Sequence, residues 1–338
     1  MVITELRIGA RKSPLARAQA DVVAELLAAH GVRSTFVGIT TAGDVDSRQL
    51  TEIGGTGVFA TAVRGALRDR SVDLAVHSLK DLPTLQPDDL EIIAIPERED
   101  SRDVLIGCRL DELEDGSRVG TGAPRRALQM LDWARRRGIR LEIVPVRGNV
   151  GTRLDLVATA QVTAVLLAAA GLRRLGYASL EESDNSDIVV RGLPAQVLSP
   201  AEMLPAPGQG ALALEVSRGL SPDLRTAVAT LDHPHSRAES LAERGFLAAL
   251  EAGCTAPVGA RAVVKSVRDT SVDLTLAAVI GRTLSSSLSE PAKSPPLRLE
   301  VHGSTSDPAA YGAATGRSVL AELRDLQRSR RPGAEAEQ

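Results

Sequence analysis

Cysteine is scarce in this chain, with two among 338 residues. Cys108 and Cys254 stand far apart and lack the spacing of metal ligands, so the sequence predicts neither a disulfide nor a metal site. Cys108 ends an apolar run and is expected to be buried and inert. Cys254 follows a predicted helix among small residues, which leaves both a buried and a reactive thiol open.

Long apolar runs and a strong charge imbalance are also missing. No segment has the length of a secretory signal or a membrane-spanning helix, so we expect a cytoplasmic protein that has no membrane partner. The formal net charge of −3 gives a nucleic-acid partner no electrostatic support. Hydrophobic residues make up 43% of the chain and charged residues 25%, which is typical of globular proteins.

Lysine is rare, since four of the 40 basic residues are lysines and the others are arginines. A single arginine is therefore weak evidence of function. The arginine run at 135–137, directly before Gly138, is interpreted as the solvated end of a helix. The nucleotide-binding patterns GxxxxGK[ST] and GxGxxG are absent, so ATP and dinucleotides lose their usual sequence support.

The order of predicted elements indicates two α/β lobes and a third, α+β domain. Strands and helices alternate over 6–78 and again over 119–168, which is typical of mixed, mostly parallel sheets with helices on both faces. The segment 96–102 is the predicted crossing between the lobes, and a strand at 211–216 is expected to return to the first. The third domain has a helix near 236–251, strands at 258–264 and 272–279, and a helix near 308–326. The predicted limits are 1–97 and 211–230 for lobe 1, 103–204 for lobe 2, 233–328 for the third domain, and 329–338 for a disordered tail.

The first predicted helix, at 14–30, has clear start signals. Ser13 suits the N-cap position, and Pro14 suits the first helical position. Its apolar stripe is expected to face the core. The stripe consists of Leu15, Ala18, Val22, Leu26 and Ala29.

The segment 72–84 is the strongest candidate for a functional site. An apolar strand ends there in His77, Ser78, Lys80 and Asp81, and Pro83 stops regular structure. Ligands of open α/β sheets bind beyond the carboxyl ends of the strands, where these side chains would stand. The alternative is a surface turn with a solvated Lys-Asp pair.

The sequence predicts three strand-to-helix loops, at 54–57, 120–126 and 147–153. Five arginines lie in such loops or at the end of the first strand. They are Arg11, Arg125, Arg126, Arg147 and Arg153. Such loops favour anions, and convergent guanidinium groups would select a ligand with many carboxylates. Without convergence they are ordinary surface charges. Asp81 is the acidic residue among these candidates. It could stabilise a cationic intermediate or transfer a proton. The alternative is that it is a structural cap.

Six strings in this order resemble the porphobilinogen deaminase family, also called hydroxymethylbilane synthase. They are RIGARKSPLA (7–16), VHSLKDLPT (76–84), ERED (97–100), VRGNVGTRL (146–154), PGQGA (207–211) and GC (253–254). The resemblance implies two lobes like those of periplasmic binding proteins, and a third domain that presents Cys254 to the cleft. It implies a monomeric transferase of tetrapyrrole and haem biosynthesis that joins four porphobilinogen units, with loss of ammonia, and releases hydroxymethylbilane by hydrolysis.

The resemblance also implies residue roles. Cys254 would carry a dipyrromethane primer through a thioether, and Asp81 would hold pyrrole N–H groups and stabilise the cationic azafulvene. The primer would be held by Ser78, Lys80, Thr121, Arg125 and Arg126. Incoming substrate would be held by Arg11, Ser13, Arg147 and Arg153. Each pyrrole ring carries an acetate and a propionate, which accounts for the arginines.

The chain departs from the family pattern at 160–164, where a usual glycine and acidic residue are replaced in what is interpreted as a loop change, and at four positions closer to the site. Many members have lysines where this chain has Glu52 and Thr56, and serines where it has Gly122 and Ala123. These changes put in doubt the anion contacts of the glycine loop and the hydroxyl donors near Arg125. The alternatives to the deaminase are a non-catalytic module that binds a multi-carboxylate ligand and a Cys-His hydrolase that would bring His77 to Cys254.

Overall fold

The computed structural model describes residues 5–41, 58–177, 187–251, 256–268, 270–282 and 295–328. Several predicted features lie outside these residues: a loop expected at 45–53, the strand-to-helix loop at 54–57, Cys254 and the tail at 329–338. The strands are β1 Leu6–Arg11, β2 Ser34–Ile39, β3 Leu74–Ser78, β4 Leu90–Ala94, β5 Asp103–Ile106, β6 Arg118–Gly120, β7 Glu142–Val144, β8 Ala164–Ala168, β9 Asp187–Val190, β10 Leu193–Leu198, β11 Leu212–Ser217, β12 Val258–Arg268, β13 Ser271–Ile280 and β14 Leu297–Thr305. The helices are α1 Pro14–Ala29, α2 Val58–Arg68, α3 Pro124–Arg137, α4 Val150–Ala158, α5 Ala169–Arg174, α6 Pro222–Ala229, α7 Pro234–Ala249 and α8 Pro308–Arg328.

The first lobe is built on a sheet of order β2-β1-β3-β11-β4. β1 pairs in parallel with β2 and β3, whereas β11 is antiparallel to both β3 and β4. Four of its five described strands therefore run in the same direction. The prediction that a strand near 211–216 returns to this lobe is confirmed.

The second lobe is built on a sheet of order β7-β6-β8-β5-β10-β9. β6 pairs in parallel with β7 and β8, but β5 is antiparallel to β8 and β10, and β9 is antiparallel to β10. The α/β class with mixed sheets is thus confirmed. The chain crosses between the sheets twice, at 95–102 as predicted and again at 199–211.

The third unit is an antiparallel sheet of order β12-β13-β14, and α7 and α8 cover one of its faces. The strand β14 was not predicted. α7 and α8 pack with their backbones in close contact, because a Cβ atom added at Gly312 would collide with the carbonyl oxygen of Ala242. This packing fixes α7, which reaches the site described below.

The predicted apolar stripe of α1 was wrong. The buried side chains are Ala16, Gln19, Ala20, Val23 and Leu27. Val22 and Leu26 are instead 37% and 36% exposed, and Ala29 is exposed. The helix is apolar along two adjacent stripes one residue apart, so periodicity does not decide which of them faces the sheet. Gln19 is buried because its amide donates a hydrogen bond of 2.8 Å to the Ser78 hydroxyl.

Candidate functional site

The residues between β3 and β4 begin with a short turn that exposes Asp81. β3 ends at Ser78, and a 3-10 turn, Leu79–Asp81, follows it. Leu79 and Leu82 are buried in an apolar cluster with Ala211 and Ala213, while Asp81 is exposed. Burial of the two leucines on either side therefore directs Lys80 and Asp81 away from the apolar core.

Four of the predicted site residues line one cavity at the carboxyl ends of β1 and β3. These are Arg11, Ser13, Ser78 and Asp81. Ser13 is the N-cap of α1 and accepts a hydrogen bond from Ala16 N at 3.3 Å, as predicted. Among the described residues, none donates a hydrogen bond to the Asp81 carboxylate. The carboxylate is therefore available to a ligand.

Lys80 joins the first lobe to the second through Gln209. Its Nζ donates to Gln209 Oε1 at 3.1 Å, and Gln209 Nε2 donates to Asp103 Oδ1 at 2.9 Å. Asp103 in turn accepts from Arg125 Nη1 at 2.6 Å and from Arg126 Nε and Nη2 at 3.1 and 2.8 Å. The predicted Lys80, Arg125 and Arg126 thus belong to one hydrogen-bonded cluster.

This cluster contains three cations and one carboxylate, and burial together with the neighbouring charges shifts its pKa values. The pKa of Lys80 is lowered to about 8, mainly by burial; the charges of Arg126 and Arg125 contribute to the lowering, and Asp81 and Asp103 oppose it. Burial also lowers the pKa of Arg125. Burial alone would raise the pKa of Asp103, but the two guanidinium groups outweigh it and hold that pKa well below its usual value.

Arg147 and Arg153 reach the same region from α4 and the loop before it. Asn149 is the N-cap of α4 and accepts from Thr152 N at 2.9 Å, and Arg153 Nε donates to Gly148 O at 3.0 Å. Burial lowers the pKa of Arg153 to about 10, and the charges of Arg126 and Arg147 add to this while Asp81 opposes it. Arg153 therefore lies close enough to Asp81 of the first lobe and to Arg126 and Arg147 of the second for their charges to affect its pKa.

Thr121 and Cys254 do not join this group in the same way. Thr121 is fully buried and its hydroxyl accepts from Ala123 N at 3.2 Å, which orders the turn before α3. Cys254 lies outside the described residues, three positions after Glu251, which ends the described part of the segment beyond α7.

Two family models match the chain. The model described as porphobilinogen deaminase, dipyromethane cofactor binding domain, matches residues 6–222, and the C-terminal domain model of the same enzyme matches residues 238–288. The chain belongs to the porphobilinogen deaminase family. The family assignment agrees with the resemblance seen in the six sequence strings.

Curated relatives of the family match over most of their length. Porphobilinogen deaminase 1 of Streptomyces avermitilis is 44% identical over 94% of both chains. Porphobilinogen deaminase 1 of Streptomyces coelicolor is 48% identical over 84% of this chain and 86% of the relative. The solved structure of an ABC-transporter periplasmic substrate-binding protein from Coxiella burnetii covers 69% of this chain with 15% identity and a TM-score of 0.40, which is too low to say anything of fold or function.

One departure from the family pattern has a structural reason. A Cβ atom at Gly122 would lie 2.8 Å from the carbonyl oxygen of Val146, so a serine there requires the two loops to move apart. Ala123 is the N-cap residue of α3 and offers no side-chain acceptor. Glu52 and Thr56, the other two departures, lie outside the described residues.

Sequence reasoning missed the residues that hold this cluster together. Asp103 gave no local signal, because it opens a strand that was not predicted. Gln209 lies in the quoted string at 207–211 but had no assigned role. Gly208 and Gly210 beside it have φ of 75° and 88°, values that favour glycine and let the chain present Gln209 between the lobes.

The third unit is fastened to the crossing segments by a buried ion pair. Glu243 of α7 accepts from Arg98 Nη1 and Nη2 at 2.8 and 2.9 Å, from Gly208 N at 2.6 Å and from Ala262 N at 2.8 Å. One carboxylate therefore joins both crossing segments to the sheet of the third unit. Its position directly beside Arg244 matters below.

The remaining candidates have structural partners. His77 is buried, and its Nε2 lies 3.1 Å from Glu215 Oε2, a carboxylate that Arg64 also contacts at 2.7 Å. His77 therefore has a carboxylate partner among the described residues, whereas Cys254 lies outside them. Cys108 is half-buried, and burial, together with Glu112 and Asp111, raises the pKa of its thiol to about 11, as expected of an inert cysteine. No described helix is both long and apolar enough to span a bilayer.

Proposed function

We propose that this chain is a porphobilinogen deaminase that condenses four porphobilinogen units head to tail on a dipyrromethane primer attached to Cys254 by a thioether. Each addition releases ammonia, and hydrolysis finally releases hydroxymethylbilane for tetrapyrrole and haem biosynthesis. The observation that carries this proposal is the Asp81 carboxylate, which receives no hydrogen bond from the described residues and faces a cavity with Arg11. Its environment is otherwise strongly cationic.

The residues present fit a dipyrromethane group. The cluster of Lys80, Arg125, Arg126 and Asp103 has more buried positive than negative charge, and the acetates and propionates of the group would balance it. Arg125 has a guanidinium edge, Nε and Nη2, that makes no hydrogen bond to the described residues and suits a carboxylate. When bound, the group supplies the pyrrole carbon to which the first substrate is joined.

We assign the holding of this primer to Ser78, Lys80, Thr121, Arg125 and Arg126, in addition to Cys254. Thr121 acts through the backbone it orders, since its hydroxyl is fully buried. The pKa of Lys80 is lowered to about 8, so a carboxylate of the primer bound beside its amine would stabilise the protonated form.

Asp81 is proposed as the catalytic residue. Its carboxylate would accept hydrogen bonds from pyrrole N–H groups and stabilise the positive charge that develops on substrate as ammonia leaves. Asp81 is exposed, which lets substrate reach its carboxylate.

Incoming substrate is assigned to Arg11, Ser13, Arg147 and Arg153. Arg11 and Ser13 line the Asp81 cavity from the first lobe, and Arg153 approaches from the second. The Nη1 and Nη2 atoms of Arg153 make no hydrogen bond within the described part of the chain, which suits bidentate binding of an acetate or propionate.

We further propose a cytoplasmic monomer without nucleic-acid or membrane partners and with the domain limits 1–97 and 211–230, 103–204, and 233–328. The small net charge of −3 supports the absence of nucleic-acid and membrane partners. Limited proteolysis and light scattering of the purified chain test the limits and the monomer.

Intact-mass spectrometry tests the function most directly. The purified chain should be heavier than its sequence by a dipyrrole, and the excess should disappear in Cys254→Ser but persist in the control Cys108→Ser. The chain should convert porphobilinogen to hydroxymethylbilane. An unmodified and inactive wild-type chain would favour the multi-carboxylate binding module, and an excess lost only in Cys108→Ser would refute the attachment site.

Asp81→Asn tests the catalytic assignment. The variant should keep its circular dichroism spectrum and nearly lose turnover, because the neutral amide cannot balance developing positive charge. Ordinary turnover in this variant would remove the proposed role.

A further inference from the structure

Arg244 of α7 binds the backbone on both sides of Lys80 and Asp81. Its Nη1 donates to Leu82 O at 3.1 Å and approaches Leu79 O at 3.5 Å. Its Nη2 donates to Pro83 O at 2.7 Å and approaches Thr84 O at 3.4 Å. The guanidinium group of the third unit therefore contacts four carbonyl oxygens of residues 79–84, which we call the 79–84 loop.

These carbonyl groups find few donors besides Arg244, although Gln86 Nε2 also donates to Pro83 O at 3.3 Å. The 3-10 turn supplies a single internal bond, from Leu82 N to Leu79 O at 3.2 Å, and Pro83 has no N–H to offer. The rest of the loop is anchored through apolar burial of Leu79 and Leu82. A guanidinium group has several N–H donors in a fixed plane and can therefore bind several carbonyl oxygens at once. A lysine ammonium is a compact point charge and cannot span them in the same way.

We propose that Arg244 is a positioning residue that fixes the Asp81 carboxylate relative to the primer. This inference rests on the proposed function. α7 carries Arg244 and ends at Ala249, five residues before Cys254 in the sequence, so the helix that contacts the acid-bearing loop is also the one that precedes the proposed attachment residue. Glu243, next to Arg244, ties the same helix to Arg98 and Gly208 and keeps its position fixed between the lobes.

The geometry predicts an effect on turnover rather than on substrate affinity. Arg244 touches the loop backbone and does not line the Asp81 cavity, so substrate carboxylates keep their arginines when it is removed. Displacement of a catalytic group by about 1 Å costs on the order of 100-fold in rate. We therefore expect Arg244→Ala to lower kcat by about 10- to 100-fold with little change of KM for porphobilinogen.

Arg237→Ala is a matched control. Arg237 lies two turns earlier on α7, is likewise part-buried, and also donates to a carbonyl oxygen of the first lobe, Ile93 O, at 2.8 Å. It pairs with Asp232 and makes no contact with the 79–84 loop. The Arg237→Ala substitution thus removes one contact between α7 and the first lobe and leaves Asp81 in place.

The experiment uses full-length, primer-loaded enzyme and measures kcat, KM, the intact mass and hydrogen exchange of the peptide over 79–86. Arg244→Ala should lose kcat and exchange faster in this peptide, Arg244→Lys should be intermediate in both, and Arg237→Ala should match wild type in both. Equal kcat values for Arg244→Ala and Arg237→Ala, or a loss of kcat without faster exchange, would overturn the proposal. If Arg244→Ala does not fold, Arg244→Lys alone decides, and wild-type values for it would overturn the proposal. Should wild type produce no hydroxymethylbilane, the proposed function fails, and the exchange data still decide whether Arg244 holds the loop.

Discussion

Replacing Asp103 by asparagine removes the carboxylate that Arg125 and Arg126 share. Asparagine keeps Oδ1 as an acceptor for Arg126 and Gln209 but puts an NH₂ group where Oδ2 accepts from Arg125 Nη1 at 2.6 Å. One charge-assisted hydrogen bond of about 1.5–3 kcal/mol is lost, and the two buried cations lose their counter-charge. Breaking a buried pair on one side costs roughly 3–5 kcal/mol, so we expect a loss of that size in the free energy of unfolding at pH 7.

Urea unfolding followed by tryptophan fluorescence measures this loss. Trp133 is the single tryptophan, lies on the same helix as Arg125, and is buried in the core of the second lobe. Asp115→Asn is the control, because Asp115 contacts Arg140 with similar hydrogen bonds of 2.8–3.3 Å on the surface of the same lobe. It should lose far less stability.

The pH dependence gives a second check on Asp103. The arginines lower the pKa of its carboxyl group in the folded state, so its stabilisation is present above the unfolded pKa, near 4, and is lost as the pH falls below it. The difference between wild type and Asp103→Asn should therefore be constant near neutral pH and shrink in acid. A loss under about 1 kcal/mol, or one equal to that of Asp115→Asn, would refute the reasoning.

Three further changes probe the same region. Arg153→Leu should lower kcat/KM for porphobilinogen by roughly 10- to 100-fold without unfolding the chain, since it removes a charge-assisted contact of about 1.5–3 kcal/mol; unchanged kinetics would exclude it from substrate binding. Ala123→Ser gives α3 an N-cap acceptor and should raise the free energy of unfolding by about 1 kcal/mol in urea titrations, with a loss of stability counting against this cap. Lys80→Met should abolish a rise in stability between about pH 8 and 10.5, because burial lowers the folded pKa of Lys80 to about 8 and the unfolded chain there binds the proton more tightly; the same slope in both proteins would contradict the assigned burial.

Local patterns predicted several of the elements that carry the site. Ser13 and Pro14 mark the start of α1, and Gly138, with φ of 71°, ends α3. The strand before Lys80 ends at Ser78, shortly before Pro83. Each of these signals depends on residues that are close together in the sequence, so a local pattern is enough to predict it. The order of strands and helices likewise indicated two lobes, because parallel strands require crossover helices.

Rotation of a helix about its axis is a different matter. α1 has apolar residues along two neighbouring stripes, and the buried one includes Gln19 because Ser78 of another strand supplies its partner. A polar residue is tolerated in the interior when it is hydrogen-bonded, and that partner lies 59 positions away. Periodicity alone therefore predicted the wrong face.

The sequence by itself determined many of the elements, though not β5 or β14, and it supplied the set of arginines and the loop that bears Lys80 and Asp81. Only the tertiary structure decided that Asp103 pairs with both Arg125 and Arg126, that Gln209 links them to Lys80 across 129 positions, and that Arg244 holds the loop. The reason is physical: charge pairing and burial depend on distance through space, and residues far apart in the chain acquire that distance only when the lobes and the third unit pack together.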